Sequence, residues 1–173
     1  SRRQRQMCIR DSAFCRRKIC GETMRVDFYH LQTQTLDDVL PKLLEKAYAS
    51  GQKILVKIGT NERVEFINSL LWTYEESSFL PHGSKKDGNG DIQPIWLTSG
   101  DDNPNQATIV FWVDGAESNL DKLEGINRIL NIFDGNSENA VLQARRLWKS
   151  FKEAGHEVYY WQQDSNKRWQ QKA

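Results

Sequence analysis

The sequence predicts an α/β domain built on a parallel or mostly parallel sheet covered by helices. Three observations lead to that class. Short runs of β-branched and aromatic residues alternate with longer stretches of helical period from residue 24 onward. The helical stretches carry start and stop signals, Thr35 and Thr60 before two of them and Gly51 and Gly155 after two. Residues 24–173 also hold all six Trp and all five Tyr and no Cys, so the core is aromatic and needs no disulfide framework.

Residues 25–31 (RVDFYHL) read as the first strand. A helix is expected over residues 36–50, with Thr35 as N-cap and Leu36, Val39, Leu40, Leu43, Leu44 and Ala47 as its apolar face. Pro41 falls inside that pattern, so a late start or a kink is expected there. Residues 53–58 (KILVKI) give a second strand. Thr60 then caps a helix through about residue 72, with Val64, Ile67, Leu70 and Leu71 turned inward. A Gly- and Asp-rich loop covers residues 84–91. Strands follow at 94–98 and 107–113, separated by a polar turn, and another at 128–133. A long helix is expected over residues 137–154, and a last short strand at 158–162.

Residues 1–23 do not fit this organisation. They carry seven Lys/Arg against two acidic residues, hold Cys8, Cys15 and Cys20, and show no hydrophobic period. A targeting segment would form an amphipathic helix, and Met7, Ile9, Phe14 and Ile19 do not line one face. A basic nucleic-acid-binding arm is an alternative. Residues 6–12 (QMCIRDS) resemble a translated transposon adapter of the kind used in DNA sequencing, and the segment is expected to be non-native or disordered. The expected organisation is therefore an extension over residues 1–23 and one α/β domain over residues 24–173. That domain carries 17 Lys/Arg against 21 Asp/Glu, so wholesale phosphate binding is a poor default. No apolar run approaches the roughly 18 residues of a membrane span.

Catalytic signatures are scarce. Neither a P-loop nor a Gly-rich dinucleotide turn follows a strand. The DGNG at residues 87–90 lacks the ligand spacing of a calcium loop. His30, His82 and His156 are far apart, and no G-x-S-x-G motif occurs. Asp27, Asp101, Asp102 and Asp114 leave open a degenerate nucleotide-binding or nuclease-like α/β enzyme, but Asp101 and Asp102 sit in a turn-like SGDDNPN. No metal or cofactor is expected, and the paucity of chemistry favours a binding protein.

The informative features are surfaces. In the long helix Ala140, Ala144, Leu147 and Phe151 form a core stripe. Beside it runs Val141, Arg145, Trp148, Lys152, an aromatic flanked by two cations. That combination suits an acidic peptide with an apolar anchor. It is equally the pattern of a core-edge Trp beside a solvated face. Trp72, Phe79, Pro81 and His82 form a second candidate surface, with core capping as the alternative. Lys167, Arg168, Trp169 and Lys172 make a small basic-aromatic tail that suits single-stranded nucleic acid, or else a frayed terminus.

Taken in order, these residues resemble the chi subunit family of bacterial DNA polymerase III. The likeness runs over the domain: the opening Met24, Phe28, Tyr29, Leu31; Leu71–Trp72; SFLPH at residues 78–82; PIWLT at 94–98; Ala144, Arg145, Trp148, Lys149 and Phe151; Ala154–Gly155; and YWxQ with WxxKA at 160–173. The resemblance implies a three-layer α/β/α sandwich, Rossmann-like but without a phosphate-binding loop, and a non-catalytic accessory subunit of the clamp loader in the bacterial cytoplasm. It implies capture of the acidic, Phe-terminated tail of single-stranded-DNA-binding protein, with Arg145 as the key arginine and Trp148 as the pocket aromatic. Val141 stands where some members are basic, with Lys149 or Lys152 as compensating cations. Trp72 and Phe79 match aromatics that face the psi subunit; in a host without psi, another partner such as a repair helicase is expected there. Contact with DNA is expected to be mostly indirect.

Overall fold

The structure is a computed structural model that describes residues 23–74, 80–100, 102–116 and 125–173. The adapter-like segment, Phe79 and Asp101 lie outside the described residues. Eight strands form one sheet in the order β3-β4-β2-β5-β6-β1-β7-β8. They are β1 (Arg25–Leu31), β2 (Ile54–Lys57), β3 (Gly83–Ser84), β4 (Ile95–Thr98), β5 (Ile109–Trp112), β6 (Arg128–Asp134), β7 (Glu157–Gln163) and β8 (Trp169–Gln171). Every pairing is parallel except β7 with β8. Among the described residues three helices flank the sheet: α1 (Leu36–Ala49), α2 (Asn61–Thr73) and α3 (Glu138–Glu153).

Local chemistry sets the helix ends. The Asp38 carboxylate accepts from the backbone N–H and hydroxyl of Thr35 at the start of α1. Thr60 Oγ1 accepts from Arg63 N at 3.3 Å at the start of α2, and Ser137 Oγ accepts from Ala140 N at 3.4 Å at the start of α3. Pro41 lies inside α1 without delaying its start. Its missing N–H deprives only the carbonyl of Asp37, in the first turn, and its ring is buried in the core.

The sheet has a core on each face. On one side, α1 and α2 cover β2, β4, β5 and β6, packing Val39, Leu40, Leu44, Ile67 and Leu71 on Ile54, Val56, Phe111 and Ile132. Leu70, expected inward, is only half-buried, because Val64, Ile67 and Leu71 already fill that face of α2. On the other side α3 packs Ala144, Leu147 and Phe151 on Val26, Phe28, Trp112 and Phe133. The connection β1–α1–β2 leaves towards one edge over one face, and β6–α3–β7 leaves towards the other edge over the opposite face. The adjacent β1 and β6 thus open a crevice of about 570 Å³ at their carboxyl ends, lined by Thr33, Thr35, Asn131, Asp134, Ser137 and Gln143 among others.

Two elements go beyond the expected set. Residues 83–84 form the short β3 before the Gly-rich loop, whose first turn Asp87 closes by accepting from Ser84 N at 2.9 Å. Residues 169–171 form β8 rather than a frayed end, and β8 pairs antiparallel to β7. Among the described residues no helix is long and apolar enough to cross a membrane.

Candidate functional site

Strand register assembles the site beside α3. Side chains alternate along β1, so Phe28 and His30 face α3. Tyr160 on β7 stands opposite Phe28, and Phe133 on β6 stands opposite His30. Three of these rings form one cluster: His30 lies 5.1 Å from Phe133 and 5.8 Å from Tyr160, centroid to centroid, and Phe133 lies 6.4 Å from Tyr160. The Tyr160 hydroxyl shares a hydrogen bond with His30 Nδ1.

Helix α3 lays Trp148 on this cluster. Its ring meets Phe28 edge-on at 5.5 Å and Tyr160 edge-on at 6.1 Å. Trp148 is therefore half-buried, fixed from below and open above. Lys152, one turn on, places Nζ 5.4 Å from the Trp148 ring centroid. Arg145, one turn back, is exposed and close to Tyr160. Burial raises the Tyr160 pKa, and the Arg145 charge works in the opposite direction. Val141 is half-buried against the same core, and Lys149 is exposed. The predicted Val141, Arg145, Trp148, Lys152 stripe thus forms one surface: a rigid aromatic floor rimmed by cations at helical spacing.

The sequence reading of α3 missed the strand-borne half of this surface, Phe28, His30, Phe133 and Tyr160. Alternation in β7 held the signal, since Val158 and Tyr160 share the side that α3 covers.

The second predicted surface is organised differently. Trp72 is 51% exposed at the end of α2 and tilts over the His82 ring at a centroid distance of 4.4 Å. His82 itself is only 4% exposed, with Nδ1 2.6 Å from the Leu80 carbonyl and Nε2 3.0 Å from that of Asn68. It supports Trp72 from within, so of this pair only Trp72 offers contact area. Pro81 is half-buried.

The scattered carboxylates do not converge. Asp27 is fully buried among Arg25, Arg128 and Trp161. Asp102 accepts from Trp96 Nε1 at 2.8 Å and from the Thr98 hydroxyl. Asp114 pairs with Arg63 at 2.9 Å, and the same Arg63 reaches Asp37 at 3.3 Å. Among the described residues no group of three or more His, Cys, Asp or Glu is placed to hold a metal.

The family model described as "DNA polymerase III chi subunit, HolC" matches residues 24–159, which include Phe28, His30, Phe133 and Trp148 of the aromatic floor and end one residue before Tyr160. The chain belongs to the DNA polymerase III chi subunit family. A chi subunit is a non-catalytic accessory subunit of the polymerase, in keeping with a site made of aromatic and cationic contact area. A curated relative, the "Probable DNA polymerase III subunit chi" of Rickettsia prowazekii (strain Madrid E), is 30% identical over 105 residues. That alignment covers 61% of this chain and 62% of the relative, less than two thirds of its length.

Proposed function

We propose that this chi-family chain captures the acidic, Phe-terminated C-terminal tail of single-stranded-DNA-binding protein on the α3 surface. It thereby links the polymerase III clamp loader to coated template in the bacterial cytoplasm. The observation that carries this reading is the placement of Trp148 on the Phe28–Tyr160 floor between Arg145 and Lys152. An acidic tail with a terminal ring needs both halves. Arg145, with Lys149 and Lys152 along the same helix, supplies charge, and a guanidinium engages a carboxylate with two parallel hydrogen bonds. Trp148 supplies large contact area that is already held in place, so little side-chain entropy is lost on binding.

Trp72 is the proposed anchor for the psi subunit, or for another partner such as a repair helicase in a host without psi. Its exposure at the end of α2, far in the sheet order from β1 and β7, keeps the two partners on separate surfaces.

The test is nuclear magnetic resonance of the chain with a tail peptide of about nine residues. The Trp148 indole N–H is expected to shift on titration while that of Trp72 stays unmoved. A shift at Trp72 with none at Trp148 would transfer the peptide site to α2.

A further inference from the structure

The opposite face of the same β1–β7 pair carries an arrangement that tail capture does not use. Asp27 is fully buried, and its carboxylate is held from three directions. Arg25 Nε reaches Oδ2 at 3.1 Å, Arg128 Nε reaches Oδ2 at 2.8 Å, and Trp161 Nε1 donates to Oδ1 at 2.8 Å. One arginine suffices to neutralise one carboxylate, so the second leaves an excess positive charge. Both arginine side chains keep substantial exposure, 42% for Arg25 and 33% for Arg128. They line a cavity of about 350 Å³ together with Tyr29 and with Lys46 from α1, which has no ion pair among the described residues. Three cations thus face a cavity that has no carboxylate among its described lining residues, in a domain that is acidic as a whole.

Aromatic rings continue from the cavity towards the sheet edge. Tyr29 lies beneath Trp161, nearly parallel to it at 6.2 Å, and beneath Trp169, edge-on at 4.9 Å. Tyr159 carries the Arg25 guanidinium 4.6 Å above its ring. Tyr159, Trp161 and Trp169 are each half-buried, and Trp161 and Trp169 pack against the margin of the core under α1 and α2 while keeping part of their surface open. The structure also sorts the basic C-terminal residues. Trp169 belongs to this face, whereas alternation sends Lys172 to the other face beside Gln170, 3.4 Å away.

We propose that this face of β1, β7 and β8 binds single-stranded DNA, with phosphate entering between Arg25, Lys46 and Arg128 and bases stacking on Trp161, Trp169 and Tyr159. The chemistry selects single strands because a duplex offers phosphates but no free base faces. Pre-positioned cations beside a row of half-open rings match the alternation of charge and π surface along an unpaired strand. The surface lies on the face opposite Trp148, so one chain can hold a peptide and a strand together.

The test uses the full chain and a fluorescein-labelled dT oligonucleotide of 20 nucleotides, measured by anisotropy across a salt series. Residues 1–22 carry a basic excess of their own, so the deciding comparison is between variants. Lys46→Glu and Trp169→Ala lie at the rim and leave the Asp27 cluster intact. Each is expected to weaken binding about fivefold or more, the range of a lost stacking or phosphate contact. The indole N–H resonances of Trp161 and Trp169 should shift with the oligonucleotide. Tail-peptide affinity should be unchanged in both variants, and Arg145→Ala should bind the oligonucleotide as the parent does. No measurable binding, equal affinity for a duplex, tighter binding to an RNA of the same length, or indifference to both variants would each overturn the proposal.

Discussion

Arg145 stands exposed on α3 with no structural task in the core, whereas Asp27 is sealed inside the sheet, and the two predict opposite consequences of substitution. Arg145→Ala is expected to cost about 2 kcal/mol or more in tail-peptide binding, as loss of a central interface arginine does. It should leave the urea midpoint within experimental error of the parent. Asp27→Ala is expected to cost about 1–3 kcal/mol of stability, because it leaves the Trp161 indole N–H without its acceptor, while the partly exposed arginines turn to water. A loss under about 1 kcal/mol in urea titration would contradict that account of the cluster. His30 gives a pH dependence. Burial lowers its pKa, with Asp134 pulling upward against that effect. A lowered folded value makes its contribution to stability complete above the unfolded value of about 6.5, and lost as pH falls through the folded value. A titration of the His30 ring by magnetic resonance should give a midpoint below about 6.5; a midpoint above it would reverse the sign.

At the scale of elements, the turn from β6 into α3 is the tightest joint of the site. Gly135 N donates to the Leu31 carbonyl at 2.7 Å, and a Cβ on residue 135 would stand 2.6 Å from that oxygen and overlap the His30 ring. Gly135→Ala is therefore expected to lower stability by about 1–3 kcal/mol and to weaken tail binding through His30 and Phe133. Unaltered stability in thermal unfolding would show that the turn relaxes freely. Much of this level was legible in the sequence. Helical period located α1, α2 and α3 to within a residue or two, and Thr35 and Thr60 mark two of the starts by side-chain chemistry. The strands rich in β-branched and aromatic residues were equally plain. β3 and β8 were not, because a two-residue strand has no period and β8 is held by pairing to β7 rather than by its own apolar pattern. The α3 stripe could be read from spacing alone. Its aromatic floor could not, because Phe28, Phe133 and Tyr160 meet only through the β6-β1-β7 order, which no local pattern encodes.

At the scale of the molecule, the sheet order separates three surfaces. Helix α3 and its aromatic floor occupy one face at β1 and β7. The Arg25, Arg128 and Trp161 cluster occupies the reverse of the same strands, and Trp72 lies at the end of α2. That separation suits the proposed connecting role, in which partners must bind without displacing one another. The measurement closest to the central claim is a calorimetric titration of the full chain with the last nine or so residues of the host single-stranded-DNA-binding protein. The same peptide without its terminal Phe and the Arg145→Ala variant serve as the comparisons. The intact peptide is expected to bind, with an affinity that weakens with added salt, as exposed charge pairs do, and that is lost on removing either the Phe or Arg145. Equal binding of both peptides, or full affinity in Arg145→Ala, would contradict it.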